Sequence, residues 1–470
     1  MNQYKKLTAD TIIFAISNFS SKLLIFFLLP LYTNYLQTVE YGTVDLLNNM
    51  ITILFPVCSL SLIEGILRFS FDEGVKRCDI LIISLFSVSC SVGILCLLTP
   101  VVFLLGGLIR NYWPHFLLIY SGYSLTTTLS YYFRGINAVK YVAIQGILQT
   151  FIMVIGNVVA LAVLYKGVKG YIVALASSYY MTSFIMIIGT KTYREIKRAQ
   201  LNITLLKDML KYCVPMIPGK IAWWMNNSLD KYFIIGFRGL DISGLYGVAH
   251  KIPSILTVAT EIFNQAWQIS AIEIYSNNDS NRDIYSKVHQ YYIYFSVVCA
   301  SGLILFAKFL GKILFANEYF IAWKFVPPLI VAAVFASLSG YYHSIFRAAK
   351  MPKELCLTVI CGTIVNLFLN VFFVPGFGGM GAAYATLASF FAEWLISYIY
   401  VKRVIHLKVN IYKVLILYML LLLEATITVF DIEKCFLVDG IVILVMFVLI
   451  YREAAEIVNK IRREIRLWIK

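Results

Sequence analysis

YYFRGINAVK (Tyr131–Lys140) and YYHSIFRAAK (Tyr341–Lys350) decide how this chain is organised. Both open on Tyr-Tyr and both carry Ala and Lys at matching places, 210 residues apart by subtraction. Farther along, Gly167, Gly170, Ala174 and Ser178 are answered by Gly378, Gly381, Ala385 and Ser389, at an offset of 211. Two correspondences at nearly one offset indicate an internal repeat, and what repeats is set by the composition around it.

The chain has 470 residues, 60% hydrophobic and 14% charged, with a mean hydropathy of +0.79. Soluble domains average about 45–50% apolar and about 25% charged residues. So much apolar surface cannot be hidden in one soluble core, which predicts an integral membrane protein. The apolar runs are too long and too uniform for transmembrane strands, which alternate every second residue. The expected class is all-α and polytopic. Apolar segments fall at about 10–37, 42–66, 79–107, 113–134, 140–165, 170–190, 210–237, 243–272, 285–311, 325–346, 354–375, 379–401, 411–430 and 436–452. Each is near the roughly 20 residues a spanning helix needs, giving about fourteen spans.

The repeat offset carries span four onto span ten and span six onto span twelve. The unit is therefore six helices. An even number preserves orientation, so the halves are parallel repeats related by an axis along the membrane normal, as in transporters that bind cargo between halves and expose it alternately to each side. The expected organisation is 1–200 for spans one to six, 201–407 for spans seven to twelve, and 408–470 for two additional helices and a basic tail.

The formal net charge is +15. In a soluble protein this suggests nucleic acid; here the basic residues read as markers of cytoplasmic loops, and no nucleic-acid partner is expected. With the N-terminus inside, about 28 Lys and Arg fall on the cytoplasmic side against about 8 outside, so both termini are expected in the cytoplasm. The opening MNQYKKLTADTIIF lacks a cleavage site after a short apolar core, and the first apolar run reads as a retained helix. The nine cysteines form no C-x-x-C, and the five histidines are dispersed, so neither a metal site nor a disulfide framework is indicated. No G-x-S-x-G or Gly-rich nucleotide loop occurs, and no connection is long enough for a soluble catalytic domain. The expectation is a non-enzyme without a cofactor.

Charges inside the spans are the candidate functional residues, because each costs roughly 2.5–3.5 kcal/mol or more at the bilayer centre. PGKIAWWMNNSLDKYFIIG (Pro218–Gly236) holds Lys220, Asp230 and Lys231. On a helix, Lys220, Trp224, Asn227 and Lys231 share a face. That face offers cations for a phosphate, an aromatic plane for a sugar ring and an amide for hydroxyls. Asn18 and Lys22 stand four apart in span one, and Lys251 precedes Pro253. Glu261, Gln265 and Gln268 line one face of span eight, while Glu393 and Glu424 lie inside spans twelve and thirteen. With Asp230, the carboxylates Glu261, Glu393 and Glu424 are candidates for H+ or Na+ coupling. The plain alternatives are snorkelling of Lys231, fixed ion pairs between these groups, lipid-facing or packing roles for Trp223 and Trp224, and interfacial solvation for Glu64 and Glu273 near cytoplasmic ends.

Ordered local motifs extend this reading. LLPLYTNYLQTVEYGTVDLL (Leu28–Leu47), NNSLDKYFIIGFRGLDISGLYGVAHKI (Asn226–Ile252) and GFGGMGAAYATLAS (Gly376–Ser389) occur in sequence order. With the fourteen spans they resemble the Wzx-type O-antigen and capsule flippases of the multidrug/oligosaccharidyl-lipid/polysaccharide (MOP) superfamily, which includes MATE-like transporters. The resemblance covers the whole chain. It implies a V-shaped, two-lobed fold with a cationic central cavity. It also implies movement of an undecaprenyl-pyrophosphate-linked oligosaccharide across the bacterial plasma membrane, alongside the polymerase and glycosyltransferases of the pathway. Rival readings are a lipid II flippase or a MATE-type drug/cation antiporter of the same superfamily. An antiporter for cations should favour acidic residues where this chain has lysines. From another class, a membrane polysaccharide polymerase should carry a large outer loop, and an acyltransferase an intramembrane His with a partner.

Overall fold

The computed structural model describes residues 26–70, 75–105, 107–136, 138–276, 283–405, 407–408, 410–431 and 436–451. All regular structure among them is helical. The chain forms two compact units, Met1–Ser228 and Leu229–Lys470.

The first unit runs through α1 (Leu29–Tyr35), α2 (Thr38–Cys58), α3 (Leu62–Phe69), α4 (Arg77–Leu97), α5 (Thr99–Leu105), α6 (Gly107–Gly135), α7 (Val139–Asn157), α8 (Gly167–Gly189), α9 (Thr192–Arg198) and α10 (Ile203–Cys213). It ends within α11 (Ile217–Arg238). A capping box starts α2, where the Gln37 backbone N–H donates to Glu40 Oε2 at 2.9 Å. Pro56, lacking an N–H to donate, and left-handed Leu60 and Ser61 end it. Helices α2 and α3 therefore meet at 63°, which turns Glu64 into the unit. Helix α8 packs against α6 and α7.

The second unit continues with α12 (Leu240–Ala249), α13 (Pro253–Ser276), α14 (Asp283–Leu305), α15 (Ala307–Leu314), a 3₁₀ segment (Asn317–Phe325), α16 (Val326–Ala348), α17 (Pro352–Val401) and α18 (Ile411–Val429). Helix α19 (Phe436–Tyr451) follows. Helix α16 is its central element, packed by α13, α14, α17 and α18, with Phe335, Tyr341, Tyr342 and Phe346 fully buried.

Among the described residues, seven helices are long and apolar enough to cross a membrane, or eight with the bent α2–α3 pair. One of them, α17, is broken by Gly378 at φ 58° and ψ −133°, so its 50 residues correspond to two expected spans. Every expected span from the second onward coincides with a helix or a broken helix. Phe151, Phe184, Phe368 and Met419 are more than half exposed, as side chains facing hydrocarbon rather than water should be.

The backbone corrects the register of the repeat. The turn after α6 closes with Ala138 N–H donating to Phe133 C=O at 2.8 Å, and the turn after α16 with Met351 N–H donating to Phe346 C=O at 2.8 Å. These lie 213 residues apart, not 210, and pair Phe133-Arg134 with Phe346-Arg347. The Tyr-Tyr correspondence is displaced by three positions, close to one helical turn, so it kept the correct face while missing the register. At the following break the offset is 211 as expected, because Gly167 (φ 54°) and Gly378 (φ 58°) both occupy positive φ. The first half holds two more residues between these landmarks. That stretch contains the π-helix Val158–Val163, which takes extra residues into each turn.

Candidate functional site

In the first unit, Lys220 Nζ lies 2.5 Å from Glu64 Oε1. The carboxylate reaches it because of the α2–α3 break, and α3 is held against α10 at Gly65, where an added Cβ would sit 2.9 Å from Met209 Cε and 3.0 Å from Cys213 Sγ. Interfacial solvation therefore does not describe Glu64, whose side chain is only 19% exposed. Tyr131 O–H also donates to Glu64 Oε1, at 3.4 Å, and the Arg134 guanidinium lies 5.4 Å from the Tyr131 ring centre. A chain of groups from α11, α3 and α6 thus holds two cations, one carboxylate and a phenol. Sequence reasoning missed Tyr131 and Arg134 as members; the polar face of α6, with Tyr123, Thr127, Tyr131 and Arg134 at helical spacing, was the available signal.

Two further bonds tie α11 to α2. Trp224 Nε1–H donates to the Asn49 carbonyl at 3.1 Å, and Ser228 O–H donates to Asn49 Oδ1 at 3.0 Å. Lys220, Trp224 and Ser228, spaced by four, form the face that meets α2 and α3. Asn227, expected on that face, is exposed and donates to the Trp223 carbonyl of its own helix at 2.7 Å. Trp223 is 61% exposed, as a lipid-facing ring would be.

In the second unit, Asp230 is buried. Its Oδ2 accepts from Tyr246 O–H at 2.6 Å and Thr386 O–H at 3.0 Å, and its Oδ1 from the Lys231 backbone N–H at 3.1 Å. Helix α12 delivers Tyr246 by folding back at Gly239, φ 94°. Arg238, just before that turn, donates to the carbonyls of Pro375 and Gly376 at the α17 break. This gives the freed carbonyls partners. Lys231 and Lys251 are half-buried, and Glu261 is exposed.

Glu393 is buried, with Oε1 3.6 Å from His343 Nε2. Gly362 makes room for it: an added Cβ would come within 3.1 Å of Glu393 Cβ. Glu424 is fully buried and accepts from Ser301 O–H at 2.6 Å. Gln268 accepts from Arg347 Nη1–H at 3.2 Å. Buried His289 lies 2.7 Å from the Tyr342 hydroxyl, so His289 and His343, far apart in sequence, each acquire a polar partner. Asn18 and Lys22 lie outside the described residues, as does the side chain of Gln265. Among the described residues no cluster of three or more His, Cys, Asp or Glu can hold a metal ion.

Broken, apolar helices with ionisable groups held inside them define a multi-pass membrane protein, and its fold is similar to that of MOP-superfamily transporters. The structure of the lipid II flippase MurJ in an inward closed conformation superposes with a TM-score of 0.65 at 15% identity, covering 94% of this chain and 100% of that one. An inward-facing multidrug resistance MATE family transporter of the MOP superfamily gives 0.66 at 14% identity, covering 83% and 98%. Residues 7–269 match the family described as "Polysaccharide biosynthesis protein", and the chain belongs to that family. Two uncharacterized membrane proteins of Methanocaldococcus jannaschii are similar. MJ1375 is 22% identical over 283 residues, or 58% of this chain and 66% of the relative, and MJ1068 is 23% identical over 235 residues, or 46% and 45%. The chain thus spans less than two thirds of the length of either curated relative.

Proposed function

We propose that the protein is a flippase that moves an undecaprenyl-pyrophosphate-linked oligosaccharide, the repeat unit of an O-antigen, capsule or related polysaccharide, across the bacterial plasma membrane by alternating access. The observation that carries this reading is the family match over residues 7–269. The lipid II flippase, which shares this fold, is an instance of the fold serving a lipid-linked cargo. Lys220 is the described cation suited to a pyrophosphate. Lysine presents a point charge rather than a fixed fork, and its present partner is a carboxylate that a phosphate can displace. Lys22 is proposed to act with it, and Asp230, Glu261, Glu393 and Glu424 are the proposed carriers of H+ or Na+. Chemistry on the glycan is left to the polymerase and glycosyltransferases of the pathway. Both termini are assigned to the cytoplasm on the distribution of Lys and Arg.

The test is complementation of a bacterium lacking its own polysaccharide flippase. Surface polysaccharide should return with the wild-type chain and fall with Lys22→Ala or Lys220→Ala. Absence of export by abundant, folded wild-type protein refutes the reading. If Glu261→Gln and Glu393→Gln leave the dependence on a pH gradient unchanged, those two groups do not carry the coupling ion.

A further inference from the structure

Two carboxylates meet inside the second unit where α14, α18 and α19 come together. Glu424 of α18 is fully buried, and Asp439, in the first turn of α19, is 1% exposed. Each has one oxygen with a partner and one without. Ser301 O–H of α14 donates to Glu424 Oε2 at 2.6 Å, and Thr428 O–H of α18 donates to Asp439 Oδ2 at 3.0 Å. Glu424 Oε1 and Asp439 Oδ1 are buried and have no partner among the described residues. Thr428 Oγ1 also lies 2.8 Å from the Glu424 carbonyl oxygen. A hydroxyl has one proton to give, so even the satisfied side of Asp439 shares its donor.

The two carboxylates lie close enough for their charges to interact. Buried like charges without a counter-charge are strongly unfavourable, so the pair calls for a positive partner. The lysines nearby do not supply one. A cavity of about 360 Å3 is lined by Asp439, Thr428, Trp323, Phe436, Lys308 and Lys312. Lys308 is held by Asp431 at 2.5 Å, and Lys312 is exposed. In formal charge the three carboxylates exceed the two lysines by one, so a single monovalent cation brings the group to neutrality.

The surrounding backbone favours the same sign. Thr428 lies in the last turn of α18, which ends at Val429, and Ser301 stands about one turn before the end of α14 at Leu305. Helix C-termini carry partial negative charge, and such ends help to coordinate Na+ or H+ in transporters. The donors are all oxygens, which suit a hard cation. Among the described residues the pair lacks the third His, Cys, Asp or Glu that would mark a metal cluster, which fits a singly charged ion.

We propose that Glu424 and Asp439 form a binding site for one monovalent inorganic cation, with Ser301 and Thr428 fixing the two carboxylates. The inference rests on the reading of Glu424 as a carrier of the coupling ion. It adds Asp439 as the second ligand and places the ion between α14, α18 and α19.

The experiment uses the full chain in lipid nanodiscs, in NaCl or choline chloride at equal ionic strength, with thermal unfolding followed by tryptophan fluorescence. Na+ at about ten times its dissociation constant should raise the midpoint by about 3–5 °C over choline. Glu424→Gln and Asp439→Asn, each nearly isosteric, should abolish that rise. Asp283→Ala, at an exposed ion pair, should keep it. If the first two variants do not fold, Ser301→Ala leaves both carboxylates in place. It should raise the Na+ concentration for half the effect about fivefold, the size of one hydrogen bond. Equal midpoints in NaCl and choline chloride, or a rise that persists in folded Glu424→Gln and Asp439→Asn, overturn the proposal. A midpoint that follows pH and ignores Na+ makes the pair two protonated acids and overturns it as well. Reconstituted protein that moves lipid-linked oligosaccharide without any response to Na+ removes the site and leaves the flippase. A Na+ response that depends on Glu424 and Asp439, without any flipping, retains the site and removes the flippase.

Discussion

The Lys220–Glu64 pair predicts a measurable coupling. Two unit charges at about 4 Å attract by about 4 kcal/mol at an effective dielectric of 20. The lysine side chain is 39% exposed, so screening reduces that attraction, and fixing a lysine costs roughly 2 kcal/mol of rotamer entropy. The net coupling should be about 1–2 kcal/mol, above the exposed-pair range of 0.2–1 kcal/mol. A double-mutant cycle of Lys220→Met and Glu64→Gln isolates it. Unfolding can be followed with a thiol-reactive dye, because Cys213 is buried beside Gly65 of the same helix as Glu64. Each single variant should lower the midpoint by several degrees, at about 2–4 °C per kcal/mol for a unit of this size. The double variant should lose less than the sum of the two. Additive losses within about 0.3–0.5 kcal/mol would refute the pair as an energetic contact.

Other expectations follow from the same geometry. Tyr246→Phe removes a hydroxyl donor from buried Asp230 and should cost about 1.5–3 kcal/mol by thermal unfolding, with Thr386 as the remaining side-chain donor. Gly362→Val crowds Glu393 and should destabilise by about 1–3 kcal/mol, also by thermal unfolding; a neutral result means the two arms of α17 on either side of Gly378 are not so close. Gly378→Ala forces a Cβ into φ 58°, ψ −133° and should cost about 1–3 kcal/mol, read as a loss of stably purified protein. Asp283→Ala removes a carboxylate 3.0 Å from Lys408 whose side chains are 60% and 74% exposed, and the midpoint should stay unchanged within error.

Residue spacing carried some of this site and not the rest. Lys220 and Trp224 stood out because charge and aromatic character are anomalous in an apolar run, and both do face another helix. Asn227 shared their predicted stripe, yet Ser228 takes the contact with Asn49. Helical phase known to within one residue cannot separate neighbours at the edge of a face. Glu64 was misplaced because its surroundings depend on the 63° break after α2, whose direction no local pattern encodes. Arg134 was passed over as a loop-end cation, although it ends the polar stripe of α6 that Tyr123, Thr127 and Tyr131 form at helical spacing.

Composition and periodicity were sufficient for the all-helical, membrane-spanning class, since burying that much apolar surface in water is not an option for a chain of this length. They also located the helical segments from the second expected span onward, because a long apolar run satisfies its backbone groups in hydrocarbon only as a helix. Partners separated by long stretches of chain were decided only by the tertiary structure. Glu64 with Lys220, Asp230 with Tyr246 and Thr386, and Glu393 with His343 depend on where helices break and how closely they approach. Those are properties of packing, and no single helix contains them.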